Sequence, residues 1–203
     1  DIEHEIWIVP ELAKVAAVQQ ILSQSPIIPT IVFGRTRHLV ERLSRRLQDS
    51  GLRVGAIQGA MAQSARSKVL ANFRSRTIDV LIATNVAARG LDIDGLARVI
   101  NYDVPDNPDL FTHRTGRTGR MGQDGSSVTL VTGADIVHLH AIERAFGKRL
   151  PRRYWEPSKV VEPQPNNDSG EPGAVSFAKG DKGLRVLPGE RLSGLQRRTE
   201  EAR

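Results

Sequence analysis

The stretch that decides the fold is residues 30–47, Thr-Ile-Val-Phe-Gly-Arg-Thr-Arg-His-Leu-Val-Glu-Arg-Leu-Ser-Arg-Arg-Leu. Residues 30–33 form a continuous, β-branched and aromatic run, which predicts a strand buried on both faces. The next apolar residues recur at helical spacing and predict a helix over residues 36–48. Its apolar face carries Leu39, Val40, Leu43 and Leu47. A buried strand followed at once by an amphipathic helix is typical of a parallel α/β sheet.

The same alternation continues on both sides of this stretch. Strand-like runs occupy residues 6–9, 54–57, 80–83, 99–102 and 127–131. Helical patterns occupy residues 11–22, 64–73 and 134–146. We therefore expect one α/β domain over residues 1–150, with a parallel sheet and helices on both of its faces.

The composition changes after residue 150. Residues 151–203 contain six prolines and six glycines, with ten basic and eight acidic residues. Such a segment has too few apolar side chains to offset its conformational entropy by packing. We expect residues 151–203 to be a flexible, mostly disordered basic extension, in which short apolar groups such as residues 183–187 could still dock.

Composition also excludes several classes of protein. The 203 residues contain no cysteine, which excludes disulfide scaffolds, cysteine-ligated metal sites and thiol nucleophiles. The apolar runs are too short to span a membrane, and no secretory signal is visible at the start. A net charge of +6 suits a polyanionic partner. Because arginine outnumbers lysine 23 to 6 and no organelle signal is visible, we expect a cytoplasmic, bacterial protein, with an organelle or the nucleus as the alternatives.

The segment His113-Arg-Thr-Gly-Arg-Thr-Gly-Arg120 is the most informative loop. Arginine recurs every third residue, and glycines between the arginines allow close approach to the backbone. Guanidinium groups bind phosphate oxygens with paired hydrogen bonds, so the pattern favours a polyphosphate clamp. The alternative, an arginine-rich surface helix, would normally carry acidic partners at i+4, and the segment has none.

Four segments resemble the motifs of DEAD-box RNA helicases. Residues 113–120 match motif VI, and residues 83–93, Ala-Thr-Asn-Val-Ala-Ala-Arg-Gly-Leu-Asp-Ile, resemble motif V. Residues 31–36 resemble motif IV, and Gln63 with Arg66 matches the Gln-x-x-Arg element. The resemblance covers about residues 5–148 and implies the second, C-terminal RecA-like domain of a helicase of superfamily 2.

The resemblance implies an ATP side to this domain. Arg117 and Arg120 correspond to the catalytic arginine fingers that reach the γ-phosphate of ATP. Asp92 matches a carboxylate that binds the ribose, although a turn-forming aspartate is an alternative for this residue. The remaining residues implied on the ATP side are Gly90, His113 and Arg114.

The resemblance also implies an RNA side, which would contact phosphates and 2′-hydroxyls rather than bases. Its residues are Thr36, Arg37, Gly59, Gln63, Arg66 and Thr84. The sequence departs from the family at two places on this surface, where Asn85 and Ala60 stand in place of aspartates. We expect both departures to reduce repulsion of phosphate and to loosen the local side-chain networks.

Two motifs of the family are absent from these 203 residues. There is no Gly-x-x-x-x-Gly-Lys-[Ser/Thr] loop and no Asp-Glu-Ala-Asp segment. In the family both belong to the N-terminal RecA-like domain, which would hold Mg²⁺. We expect this chain to be half of an ATP-dependent RNA helicase and to hydrolyse no ATP alone. The alternatives are a stand-alone RNA-binding or regulatory module, and half of a related DNA helicase.

Overall fold

Strands and helices alternate along the chain, as the hydrophobic pattern predicts. The structure, a computed structural model, describes residues 1–23, 28–88, 93, 96–119 and 124–157. Its strands are β1 (Ile2–Ile8), β2 (Thr30–Gly34), β3 (Val54–Ile57), β4 (Val80–Thr84), β5 (Arg98–Asn101), β6 (Gly125–Val131) and β7 (Arg152–Tyr154). Its helices are α1 (Lys14–Leu22), α2 (Arg37–Asp49), α3 (Gln63–Arg74), α4 (Asn85–Ala88), α5 (Pro108–Thr115) and α6 (Ile136–Phe146).

The described strands form one sheet in the order β3-β4-β2-β5-β6-β1-β7. All neighbouring strands in it are parallel. β2 lies between β4 and β5, with Thr30 opposite both Val80 and Arg98. None of the described helices is long and apolar enough to cross a membrane. The parallel sheet confirms the predicted fold class.

Hydrophobic clusters cover both faces of the sheet. Successive side chains of β2 point to opposite faces, so Val32 packs with α1 and α2 while Ile31 and Phe33 pack with α3. A third cluster, centred on Phe111 and Leu139, lies under α5 and α6. These two-sided cores explain why β2 and β4 are buried along their whole length.

Two helices lie outside the sequence prediction. α4 has only four residues, too few to show a hydrophobic period. α5 begins at an Asn-Pro pair, in which Asn107 Oδ1 accepts a hydrogen bond of 2.9 Å from the Leu110 N–H. An asparagine N-cap followed by proline is a known start signal, but the eight-residue helix has only two large apolar residues, Leu110 and Phe111, which are too few to show a helical period.

The sheet also continues past the predicted domain boundary at residue 150. β7 adds a seventh strand that pairs with β1, and the Trp155 N–H donates to the Ile8 carbonyl at 2.9 Å. β7 is too short and too polar to be read as a strand from the sequence. The rest of the predicted extension, residues 158–203, lies outside the described residues.

A buried carboxylate explains the position of β7. Glu143 of α6 is 6% exposed and accepts two hydrogen bonds from Arg152 Nη2, at 2.8 and 3.0 Å. The same carboxylate accepts the Leu150 N–H at 3.0 Å. One side chain therefore fixes both the turn into β7 and the strand itself.

We expect Glu143→Gln to lower the free energy of unfolding by about 2 kcal/mol, because it removes the charge from a mostly buried pair. Urea denaturation measures this loss, and hydrogen exchange should show faster exchange in β7. Arg153→Gln is the control, since its pair with Glu5 is largely exposed and worth below about 1 kcal/mol. Equal losses in the two variants would contradict the anchoring role of Glu143.

Candidate functional site

The candidate residues lie at the carboxyl edge of the sheet, where parallel strands place their following loops together. After β2, Thr36 caps α2 and its hydroxyl accepts the Leu39 N–H at 3.1 Å. Thr36 and Arg37 are both exposed. The N–H of Arg35 donates to Asp103 Oδ2 at 2.8 Å, which ties this loop to the end of β5.

The loop after β3 presents two further candidates to solvent. Gly59 and Gln63, the latter at the start of α3, are exposed. Nothing lies within 4 Å of the position that a Cβ would occupy at Gly59. The open backbone there suits a ligand that approaches the main chain closely.

Arg66 and Thr84 meet at the short helix α4. Arg66 Nη2 donates to the Ala87 carbonyl at 2.6 Å, and Thr84 Oγ1 accepts the Ala87 N–H at 3.3 Å. Thr84 is buried and Arg66 is half-buried. Both side chains therefore hold the backbone of α4.

Arg114, the first arginine of motif VI, lies in the interior with 3% exposure. Its Nε donates to Asn85 Oδ1 at 2.7 Å, and its Nη1 donates to Asn101 Oδ1 at 3.1 Å and to the Asp103 carbonyl at 2.9 Å. Its guanidinium carbon lies 5.3 Å from the ring centroid of Phe33. This side chain joins α5 to the ends of β2, β4 and β5.

Burial lowers the pKa of Arg114 to about 10, while the nearby charges of Asp103 and Asp106 oppose that shift. The guanidinium remains charged at neutral pH. Its direct partners are uncharged oxygens, because Asn85 stands where the family has an aspartate. Asn85 supplies one of these acceptors through its amide oxygen, and the loosening of the network stays a prediction.

The other described candidates of motif VI differ from Arg114 in their exposure to solvent. His113 is exposed in the last turn of α5, and Arg117 is half-buried in the loop that follows. The Arg117 carbonyl accepts the Leu96 N–H at 3.1 Å, and the Thr118 hydroxyl donates to the Leu96 carbonyl. Gly90, Asp92 and Arg120 lie outside the described residues, so their placement stays a prediction.

Lys14 is a buried charge that the sequence patterns do not reveal. Its ammonium lies 3.2 Å from a Glu11 oxygen, 3.5 Å from an Asp103 oxygen and 5.3 Å from the ring centroid of Tyr102. The one available signal is a lysine beside the apolar positions of α1. Lys14 supports Asp103, whose carbonyl in turn accepts from Arg114.

The arrangement brings the predicted RNA side and the predicted ATP side together at α4. Arg66 and Arg114 contact this helix from α3 and α5, and motif V continues from its end. Within the described residues, no group of three or more acidic or histidine side chains is arranged to hold a metal ion. A shift of α4 would therefore displace the hydrogen-bond partners of both Arg66, on the predicted RNA side, and Arg114, on the predicted ATP side.

We expect Asn85→Asp to stabilise the protein by about 1 kcal/mol, because a carboxylate makes a stronger hydrogen bond to a buried guanidinium than an amide does. The gain exists only while the introduced carboxylate is ionised, so it should disappear as the pH falls through the pKa of that group in the folded protein. Thermal unfolding of both proteins at neutral and acidic pH measures the difference. A gain that persists in acid would assign the effect to another cause.

The sequence and the fold both match known helicases. Residues 13–122 match the model of the helicase conserved C-terminal domain. A DEAD-box ATP-dependent RNA helicase CshA from Geobacillus kaustophilus is 40% identical over 171 residues, which is 84% of this chain and 34% of that protein. The CshA of Limosilactobacillus reuteri is 49% identical over 121 residues, 60% of this chain and 24% of that protein. The chain thus spans about a quarter to a third of the length of these curated relatives.

The solved structures agree with this assignment. The Escherichia coli DEAD-box protein SrmB, solved in complex with regulator of ribonuclease activity A, superposes with a TM-score of 0.71 at 31% identity. The match covers 75% of this chain and 91% of the SrmB chain. With its parallel sheet, its motifs and these relatives in agreement, the chain belongs to the helicase conserved C-terminal domain family, as a RecA-like C-terminal domain of the DEAD-box type.

Proposed function

We propose that this chain acts as the C-terminal half of an ATP-dependent RNA helicase, together with an N-terminal RecA-like domain. The observation that carries the proposal is the meeting of Arg66, Thr84 and Arg114 at α4. A helicase must couple the state of its nucleotide to its grip on RNA. A short helix held from both sides is a direct physical route for that coupling.

On the ATP side, Arg117 and Arg120 act as arginine fingers. Phosphoryl transfer depends mainly on positioning and on neutralising charge, and bound ATP supplies the phosphoryl group and its charge. The half-buried Arg117, on a loop anchored to Leu96, has the chemistry that a polyphosphate requires. His113, Gly90 and Asp92 would complete the nucleotide contacts, while the N-terminal domain would hold the Mg²⁺.

Arg114 contributes to the ATP side by position. Its guanidinium donates from Nε and Nη1 to Asn85, Asn101 and the Asp103 carbonyl. We therefore assign Arg114 the role of holding motif VI against motif V. A positioning arginine of this kind sets where the following fingers lie. It would affect nucleotide turnover through the geometry of residues 115–120.

On the RNA side, the exposed candidates offer direct contacts. Thr36, Arg37, Gly59 and Gln63 all lie at the carboxyl edge of the sheet and are open to solvent. Arg66 and Thr84 contribute to the same surface indirectly, because their hydrogen bonds hold the backbone of α4. Hydroxyl, guanidinium and backbone groups of this kind bind phosphates and 2′-hydroxyls without reading the base sequence.

The test uses a two-domain chimera, in which the N-terminal RecA-like domain of the Geobacillus CshA precedes residues 1–203. We expect RNA-stimulated ATPase activity from the chimera and none from the chain alone. Arg120→Lys should lower kcat at least about tenfold, and Arg120→Ala by about 10²–10⁵, because a lysine lacks the planar fork of arginine. RNA affinity without nucleotide should change little in both variants.

Arg66→Ala should show the reverse pattern, with weaker RNA binding and a kcat that recovers at saturating RNA. Arg144→Lys, on the exposed side of α6, is the control and should change neither quantity. Loss of nucleotide-free RNA binding in Arg120→Ala with full turnover would contradict the finger assignment. RNA binding without ATPase in the chimera would favour a binding module, and equal stimulation by DNA would favour a DNA helicase.

A further inference from the structure

The solvent-facing side of α2 is a basic surface that no motif explains. Its arginines Arg37, Arg42, Arg45 and Arg46 are all exposed, and His38 lies beside them. The opposite side of the helix buries Val40, Leu43, Ser44 and Leu47 against the sheet. We call Arg42, Arg45 and Arg46 the α2 arginines.

Two carboxylates of α2, Glu41 and Asp49, each lie four residues from Arg45, which is the spacing of helix ion pairs. Within the described residues, none of the α2 arginines forms an ion pair. The one carboxylate in the middle of the helix, Glu41, accepts a hydrogen bond of 2.8 Å from Gln58 Nε2. Arg42 and Arg46 are four residues apart, where like charges repel and destabilise a helix. The first turn contains no acidic residue to balance Arg37 at the positive end of the helix dipole.

The basic surface begins where the proposed RNA side ends. Thr36 caps α2 at the carboxyl ends of the strands. From there the helix packs over β4 and ends near the start of β3, at the amino ends of the strands. Thirteen residues make a helix about 20 Å long. The α2 arginines therefore continue the row of proposed phosphate-binding groups from Thr36 and Arg37 down the outside of the domain.

The chemistry of this surface favours a nucleic acid over a protein. None of the large exposed apolar side chains among the described residues, Leu12, Val86, Val137 and Tyr154, belongs to α2. Hot spots of protein interfaces combine arginine with tryptophan and tyrosine, and this face offers arginine without a large exposed apolar or aromatic side chain beside it. Guanidinium groups without carboxylate partners instead match the spaced charges of a phosphate backbone.

We propose that the α2 arginines form an outer RNA-binding surface, which holds the phosphates of the strand as it leaves the carboxyl edge near Thr36. This inference rests on the proposed function, because it extends the same RNA track. The contacts are to the backbone, so binding along α2 is independent of base sequence and depends strongly on salt. The surface lengthens the RNA site without adding to the ATP side.

The test measures the affinity of the 203-residue chain for single-stranded RNAs of about 6 and about 20 nucleotides. The double variant Arg42→Glu/Arg45→Glu is compared with Arg144→Glu/Arg149→Glu, which makes the same change in net charge on or next to α6, on the other face of the sheet. We expect the α2 variant to bind the long RNA at least about tenfold more weakly than the control, with a salt dependence shallower by about 1.4. Both variants should bind the short RNA alike.

Arg42→Gln/Arg45→Gln serves as a second variant that is less prone to unfold, with circular dichroism and melting as folding controls. It should show a smaller loss in the same direction. Equal affinities of the α2 variants and the control for long RNA, or absence of RNA binding by the unmodified chain, would overturn this inference alone. The proposed function falls only if the two-domain chimera shows no RNA-stimulated ATPase activity. Tighter RNA binding after charge reversal would indicate that the α2 arginines bind an acidic segment that competes with RNA. That outcome also overturns the proposal.

Discussion

The hydrogen bonds of the buried Arg114 guanidinium organise the carboxyl edge of the sheet. A charge placed in the interior must be surrounded by acceptors, or the cost of removing it from water is not offset. Asn85, Asn101 and the Asp103 carbonyl supply these acceptors from the ends of β4 and β5. Because Asn85 follows β4 directly while Asn101 and Asp103 lie at the end of β5, the hydrogen bonds of one guanidinium fix how the ends of these two strands and α5 lie relative to one another.

The two departures from the family pattern, Asn85 and Ala60, have different local environments. Asn85 Oδ1 accepts a hydrogen bond from Arg114, whereas the methyl group of the exposed Ala60 offers no hydrogen-bonding atom. The sequence suggested that both networks would loosen when a carboxylate was removed. Both departures remove a carboxylate, so the carboxyl edge carries less negative charge next to the proposed path of the phosphates.

Close packing constrains the glycines of motif VI as well. Gly119 has φ of +66°, a conformation that side chains with a Cβ rarely adopt, and a Cβ there would lie 2.6 Å from Ile2 Cγ1. The motif therefore lies directly against the start of β1. Its arginines recur every third residue but have unlike environments, since Arg114 is internal and Arg117 is half-buried on a loop. A single clamp of equivalent arginines is too simple a description.

The sequence by itself determined the alternation of strands and helices, because periods of hydrophobicity follow from which side chains must leave water. The apolar runs of β2, β3 and β4 and the amphipathic face of α2 are examples, and the ordered motifs indicated the family. Only the tertiary structure decided which charged side chains are buried. Arg114, Lys14 and Glu143 look like ordinary surface charges in the sequence, since burial of a charge depends on acceptors supplied by residues distant in the chain. The same holds for β7, whose few polar residues form a strand only because Glu143 and the edge of β1 are already in place.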